Sequence, residues 1–253
     1  MIETVCNRVE VLTLCNNSDV KVAADAIIDG KIALIRLGSV FSFVANPYIS
    51  GLTEDLCFLK EREGSQLMST VCTYEQAKKL VDPTRVNQDF FSLSASMFGR
   101  MIARIPIDPT LELPLQYNKA DATMQLISFE GTHPLRNALR EELVSRGCEY
   151  LNITSGNIHG APTIGDTEAA KMLAVAFNIK ADFLGMKDFE TIVIDIAGDI
   201  GEHEGSYTII SFCNPDAIEI KRLVNKTDRE LTDSHIESLF ANIPLKTPIV
   251  YAL

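Results

Sequence analysis

The sequence lacks a hydrophobic run long enough to cross a membrane. Apolar runs such as 32–35 and 192–196, the second interrupted by Asp195, have the length of strands, whereas a helix in lipid needs about 18 or more apolar residues. The N-terminus has an acid, Glu3, where a secretory signal would have bases, and no long apolar core follows. We therefore expect a protein with no membrane segment and no secretory signal, located in the cytoplasm.

Closely spaced cysteine pairs are also missing. The six cysteines are scattered, no two form a C-x-x-C pair, and no His stands at ligand spacing from one. A zinc site or other protein-bound metal is therefore not expected. A chain of this length without a secretory signal needs no disulfide framework, so reduced thiols are expected.

Basic residues are too few for a general nucleic-acid binder. The chain has 23 Lys and Arg against 34 Asp and Glu, a formal net charge of -11, and such binders need surplus cations to displace counterions from phosphates. A local basic pocket for one nucleotide remains compatible with this balance. The 46% hydrophobic and 23% charged content is that of an ordinary globular protein.

Periodic apolar patterns predict helices and strands in mixed order. Helices are predicted at 19–28, 52–63, 73–81, 90–98, 134–146, 167–179, 215–225 and 232–242. Strands are predicted at 31–36, 40–45, 66–71, 101–107, 123–129, 150–154, 191–196 and 207–212. Because the two types do not alternate strictly, we predict an α/β fold in which helices flank a twisted mixed sheet.

Three local features could take part in chemistry. Lys60 and Arg62 close a predicted helix, although the helix dipole alone would also favour cations there. Residues 154–162 form a turn rich in hydroxyls, amides and glycines, which suits anion binding but is also ordinary loop composition. His133 precedes Pro134 at a helix entrance, a place where a lone His is commonly structural.

Taken together and in this order, these features resemble the YrdC-like family, which includes threonylcarbamoyl-adenylate synthases and domains of carbamoyl-transfer enzymes. Its motif Thr-Ser-Ala-Asn-x-Ser-Gly-x-Pro is similar to Thr-Ser-Gly-Asn-Ile-His-Gly-Ala-Pro at 154–162. The strand 191–195, Thr-Ile-Val-Ile-Asp, resembles the family's Ser-Thr-Val-Val-Asp. The resemblance spans about residues 15 to 215, so we predict a YrdC-like domain over 1–215 with a concave ligand groove, and a C-terminal helical extension over 216–253.

The resemblance implies a site for ATP with Mg²⁺, with bicarbonate as co-substrate. The implied catalytic and nucleotide-binding residues are Lys60, Arg62, Ser155 and Asn157, with Thr154 and Thr191 as further nucleotide contacts. Fixed cations, hydroxyls and amides would stabilise the charge that develops on phosphoryl oxygens. The implied activity is that of a threonylcarbamoyl-adenylate synthase-like nucleotidyltransferase, an activity that belongs to tRNA modification.

The amino-acid side departs from the family pattern. Where the family has Pro-Thr-Asp/Glu-Thr followed by Tyr-Gly-Leu, this chain has Arg-Leu-Gly-Ser at 36–39 and then Phe41. The amino-acid pocket is expected to include Leu37, Ser39, Phe41 and His133. If Leu37, Phe41 and Phe43 line the pocket, they favour an amine less polar than threonine, although the two aromatics would equally fill the sheet core.

Three functions remain open on this pattern. The chain could form a carbamoyl-type adenylate from an amino acid or amine other than threonine, or use threonine in an unusual pocket. It could also be a non-catalytic protein that binds a nucleotide or another anionic ligand. The partners expected are small-molecule substrates, and an acceptor protein for an unstable product is left open.

Overall fold

The computed structural model describes residues 9–61, 68–112, 114–128, 133–158, 161–186, 188–199, 207–222, 229–241 and 243–252. By compactness the chain divides into two units. Unit 1 is formed by Met1–Met68 with His133–Glu204, and unit 2 by Ser69–Thr132 with Gly205–Leu253. The predicted boundary after residue 215 and the ligand groove stay predictions.

Helices and strands follow one another in mixed order, as predicted. In chain order the elements are β1 (Val11–Leu14), α1 (Asn17–Ile28), β2 (Ile32–Leu37), β3 (Val40–Ala45), α2 (Leu52–Leu59), β4 (Ser69–Val71), α3 (Tyr74–Leu80), a 3-10 helix (Gln88–Ser92), α4 (Ala95–Phe98), β5 (Ile102–Pro106), β6 (Thr123–Ile127), α5 (Pro134–Ser145), β7 (Leu151–Ser155), α6 (Thr167–Phe183), β8 (Thr191–Ile196), β9 (Ile209–Asn214), β10 (Ala217–Arg222), α7 (Arg229–Phe240) and β11 (Ile249–Tyr251). The predicted α/β class with a mixed sheet flanked by helices is confirmed.

The strands of unit 1 lie in the order β1-β8-β2-β3-β7. β8 is parallel to β1 and β2, whereas β3 is antiparallel to β2 and β7. Ile35 on β2 lies opposite Ile194 on β8 and, on its other side, opposite Ser42 on β3. Ser42 in turn lies opposite Ser155 on β7. The end of β7 therefore lies level with the carboxyl ends of β2 and β8.

One hydrophobic cluster covers a face of the unit 1 sheet. Leu34, Phe41 and Phe43 are fully buried in it together with apolar residues of α2 and α6. The rings of Phe43 and Phe177 are 4.7 Å apart, a separation at which aromatic pairs attract. This packing fixes α2 and α6 against the strands that lead to the predicted site.

Capping side chains define the starts of two helices. Thr73 and Gln76 form a capping box at the start of α3. α1 begins at Asn17, earlier than the predicted residue 19, because Asn16 is its N-cap and Asp19 completes a second capping box. Gly30 has a φ of +99° just after α1, the left-handed conformation that favours glycine after a helix.

The strands of unit 2 lie in the order β4-β6-β5-β9-β10-β11. Its core contains four aromatic side chains in contact, those of Tyr74, Phe90, Phe98 and Phe212. The Phe90 ring lies 5.4–6.5 Å from each of the other three, and the Tyr74 and Phe98 rings are 5.6 Å apart. The Tyr74 hydroxyl donates to the Phe90 carbonyl at 2.7 Å, and burial raises the pKa of Tyr74 to about 12.

The helix predicted at 215–225 is wrong. Residues Ala217–Arg222 form β10, which pairs antiparallel with β9 and parallel with β11. Ile218 and Ile220 are fully buried, whereas Glu219 between them is partly exposed, so the apolar period is two rather than 3.6. Within the described part of 216–253, α7 is therefore the only helix.

Candidate functional site

Lys60 is placed by the end of α2. The helix is shorter than predicted, since Lys60 is its C-cap and the Lys60 amide donates to the Leu56 carbonyl at 3.0 Å. Glu61 follows with a φ of +56°, a left-handed conformation that turns the chain away from the helix. Lys180 of α6 fixes this end, because its ammonium donates to the Leu59 carbonyl at 3.0 Å and to Glu61 Oε1 at 2.6 Å.

Ser155 and Asn157 flank a close backbone approach at the end of β7. The Gly156 amide donates to the Phe41 carbonyl at 2.8 Å. A Cβ at Gly156 would lie 2.5 Å from that same carbonyl oxygen, so this position requires glycine. The turn after β7 is thereby held against β3.

Lys60, Ser155 and Asn157 converge, and we call these three residues the lysine cluster. The Lys60 ammonium donates to the Ser155 carbonyl and lies 3.5 Å from Asn157 Oδ1. The Ser155 hydroxyl donates to the same Asn157 oxygen at 2.6 Å. Lys60 is only 1% exposed, and its ammonium lies 5.2 Å from the centre of the Phe43 ring. A buried ammonium stays charged only when such partners replace water.

Thr154 lies next to this cluster. It pairs with Phe43 across β3 and β7, so both side chains are on one face of the sheet. Thr154 is 6% exposed, and its hydroxyl has no hydrogen-bond partner among the described residues. A buried hydroxyl without a hydrogen-bond partner lowers the stability of the folded state, and a bound ligand could supply that partner.

Thr191, a predicted nucleotide contact, is not brought to this cluster. Thr191 is fully buried at the start of β8, and its hydroxyl donates to the Ala174 carbonyl at 3.0 Å and to Asn178 Oδ1 at 2.7 Å. The Thr191 hydroxyl therefore joins β8 to α6. Thr191 also lies three residues before Ile194, the residue of β8 that is level with Ser155. Arg62 lies outside the described residues.

The residues predicted for the amino-acid pocket occupy different positions. Phe41 is fully buried in the unit 1 core cluster, as is Phe43. Leu37 is 3% exposed at the end of β2, and Ser39 lies partly exposed in the turn to β3. His133 is the N-cap of α5, where its Nδ1 accepts from the Leu135 amide at 3.3 Å. The aromatics therefore fill the sheet core.

Sequence reasoning missed two ion pairs beside the turn between β2 and β3. Arg36 Nε donates to Asp195 Oδ1 at 2.5 Å. Arg136 Nε lies 3.2 Å from Asp199 Oδ2, with both side chains 4% exposed, and the same oxygen accepts from the Gly38 amide at 3.1 Å. The partners in each pair are more than 60 residues apart, so a single sequence offers no local signal for them.

The Asp195 carboxylate is held charged by its partners. Burial would raise its pKa, but hydrogen bonds from Arg36 and Thr167 and the positive charge of Arg36 lower the pKa below its ordinary value.

Within the described part of the chain, His, Cys, Asp and Glu side chains form no group of three that could hold a metal ion. Among the same residues, no helix combines the length and apolar character needed to span a bilayer.

Solved structures establish the fold class. P. abyssi Sua5 complexed with L-threonine matches with a TM-score of 0.65 at 15% identity, over 96% of this chain and 62% of that chain. E. coli YciO matches with a TM-score of 0.59 at 16% identity, over 84% of this chain and 93% of that one. A phosphate- and nucleotide-bound full-length HypF matches with a TM-score of 0.56 at 22% identity, over 80% of this chain and 28% of that one.

These similarities confirm the predicted YrdC-like fold. The chain spans 65% and 62% of the length of two P. abyssi Sua5 chains to which it is similar. No protein-family model and no curated protein matches the sequence.

Proposed function

We propose that this protein binds ATP at the lysine cluster and forms a carbamoyl-type adenylate from bicarbonate and an amino acid or amine. The observation that supports this most strongly is the convergence of Lys60, Ser155 and Asn157 from separate parts of unit 1. Among the similar solved structures, one P. abyssi Sua5 is complexed with L-threonine, and one full-length HypF is bound to phosphate and nucleotide.

The donor set suits a phosphate group. The cluster offers an ammonium and a hydroxyl, and beside them lies the Thr154 hydroxyl, which has no partner among the described residues. Such groups stabilise charge on phosphoryl oxygens. In this proposal the Lys60 ammonium exchanges the Ser155 carbonyl for a phosphate oxygen, and Arg62 supplies a second cation. Mg²⁺ would arrive with the triphosphate, because this ion is commonly held by phosphates and water together with one or two carboxylates.

The proposed reaction balances without a covalent intermediate on the protein. The amine nitrogen attacks the carbon of bicarbonate, water is lost, and the carboxylate oxygen so formed attacks the α-phosphate of ATP. Pyrophosphate leaves, so the products are the N-carbonyl adenylate, pyrophosphate and water. The protein's share is to align the oxygen with the α-phosphate and to neutralise charge, which positioned donors accomplish without a nucleophile.

The amine in this proposal is less polar than threonine. Leu37 stands where the family pattern has a threonine hydroxyl, and it is 3% exposed at the end of β2. A buried hydroxyl that finds no partner costs about 1–3 kcal/mol. Valine-like side chains would avoid that cost.

Pyrophosphate release tests the proposal. The purified chain is incubated with MgATP, bicarbonate and each of the common amino acids in turn, and Lys60→Ala is compared with Lys21→Ala, which changes an exposed lysine of α1. We expect release with at least one apolar amino acid, about 100-fold less release in Lys60→Ala, and no change in Lys21→Ala. Absence of both release and ATP binding by calorimetry would contradict the proposal.

A non-catalytic binding protein is the second candidate. The observation in its favour is that the hydroxyl of Thr191, a predicted nucleotide contact, is bonded to α6, and that Glu190 beside it pairs with Lys31 at 3.2 Å. ATP binding that depends on Lys60, without pyrophosphate release from any amine, would favour this candidate.

A further inference from the structure

Arg36 joins four segments of unit 1. From β2, its Nε donates to Asp195 Oδ1 on β8, its Nη1 to the Gly165 carbonyl at 3.0 Å, and its Nη2 to Thr167 Oγ1 at 3.0 Å. Its Cζ lies 4.6 Å from the centre of the Phe41 ring on β3. We call Arg36, Asp195, Thr167 and the Gly165 carbonyl the arginine clamp.

The arginine clamp holds the segment that begins with Ser155 and Asn157. The Phe41 amide donates to the Ile164 carbonyl at 2.7 Å, and the Gly156 amide donates back to the Phe41 carbonyl at 2.8 Å. The Ile164 amide closes the arrangement by donating to the Gly156 carbonyl at 3.3 Å. Gly165 follows Ile164 in the chain, so the bond from Arg36 to the Gly165 carbonyl fixes one end of these three hydrogen bonds. The guanidinium also lies over the ring of Phe41.

The clamp is a closed network with little exposure. Arg36 and Asp195 side chains are 17% and 20% exposed. Asp195 also accepts from the Thr167 hydroxyl at 2.6 Å and from the Ile196 amide at 2.9 Å. A guanidinium offers several donors in one rigid plane, whereas a lysine ammonium is a point charge on a flexible stem. Arg36→Lys would keep the positive charge but would lose the planar group that bonds Asp195, Gly165 and Thr167 at once.

We propose that Arg36 is a positioning residue that, held by Asp195 and Thr167, fixes Gly156 against β3 and thereby sets Ser155 and Asn157 for their ligand. The geometric part stands on the contacts above, and the effect on ligand affinity rests on the proposed function. Arg36 contacts neither Lys60, Ser155 nor Asn157 in any hydrogen bond of the described residues, so its action is through the backbone of Gly156.

Unit 2 offers a matched control. There Arg104 Nη2 donates to Asp121 Oδ2 at 2.7 Å and to Thr123 Oγ1 at 3.0 Å, and the Thr123 hydroxyl donates to Asp121 at 2.7 Å. This network has the same three residue types as the clamp. Arg104→Lys therefore perturbs an equivalent arginine without altering the turn after β7.

The experiment compares Arg36→Lys, Thr167→Val and Arg104→Lys with the native chain. Hydrogen exchange of the Phe41, Gly156 and Ile164 amides is followed by NMR, and MgATP affinity is measured by calorimetry. In Arg36→Lys we expect these amides to exchange about tenfold faster and MgATP to bind about tenfold more weakly, as the loss of a hydrogen bond from a charged group implies. Thr167→Val should move both readouts in the same direction and less far.

Two results would overturn the positioning role. One is native exchange at the three amides in both Arg36→Lys and Thr167→Val. The other is an equal acceleration in Arg104→Lys, which would reveal general loosening. If the three amides exchange faster in Arg36→Lys but the native chain binds no MgATP, the positioning role stands and the proposed function fails.

Discussion

The lysine cluster and the arginine clamp lie in the same unit and are built on different principles. In the cluster, Lys60 meets two residues of one short motif, Ser155 and Asn157. In the clamp, Arg36 contacts side chains of two separate elements, Asp195 on β8 and Thr167 on α6. The cluster keeps the YrdC-like pattern, whereas the clamp arises where Arg36 replaces the proline of that pattern. The residues of the cluster therefore follow the family pattern, whereas the arginine of the clamp departs from it.

The largest expected effect tests whether the turn between β2 and β3 depends on buried charge. Asp199→Asn leaves the Arg136 guanidinium buried without its counter-charge, and should lower the free energy of unfolding by about 3–5 kcal/mol. Urea denaturation measures this. Asp121→Asn is the control, since its partner Arg104 is 30% exposed, and such exposed pairs contribute about 0–1 kcal/mol.

A loss of about 1 kcal/mol or less in Asp199→Asn, no larger than the loss in Asp121→Asn, would contradict this prediction. It would mean that the turn beside Gly38 does not depend on the buried ion pair.

The next effect concerns the junction between cluster and clamp. Gly156→Ala restores the family's usual alanine, but its Cβ would lie 2.5 Å from the Phe41 carbonyl oxygen. Relief requires a backbone shift, and overpacking of this kind costs about 1–3 kcal/mol. Thermal unfolding followed by circular dichroism measures the loss. A variant as stable as the native chain would show that the turn after β7 can move away from β3 freely.

Much of the fold was predictable from local patterns, because those patterns depend on near neighbours. The capping box of Thr73 and Gln76 and the glycine after α1 follow from three- and four-residue geometry. The strand β10 was not, since Ala217, Ile218 and Ile220 fit a short helix as well as a strand. Only pairing with β9 and β11 decides between them.

The candidate site divides in the same way. The motif at 154–157 and Lys60 could be named from residue types and order, and the structure brings Lys60, Ser155 and Asn157 together. Arg36 and Asp195 could not, because their contact depends on the register in which β2 lies beside β8. Thr191 resembles a site residue in sequence, but its hydroxyl is taken by α6, a contact that no motif encodes.

A smaller effect, on amino-acid preference, is expected from Leu37→Thr. This substitution restores the hydroxyl of the family pattern at the residue that follows Arg36. If Leu37 meets the amine, the ratio of kcat/KM for threonine to that for valine should rise about fivefold, the worth of one net hydrogen bond. Competing amino acids in the pyrophosphate assay give this ratio. Because a ratio is compared within one variant, any loss of stability from the buried substitution cancels. An unchanged ratio would remove Leu37 from the pocket.

The smallest expected effect is the pH dependence of the clamp, because Asp195 is one-fifth exposed and water screens part of its interaction. Hydrogen bonds from Arg36 and Thr167 outweigh burial and lower the pKa of Asp195. A lowered pKa in the folded state means that this stabilisation is complete above the unfolded pKa, near 3.9, and is lost as the pH falls toward the folded value. The difference in unfolding free energy between the native chain and Asp195→Asn should therefore be constant near pH 7 and shrink between about pH 5 and pH 3. Urea unfolding at a series of pH values measures it, and a difference that stays constant throughout would show that the Asp195 charge does not hold the clamp.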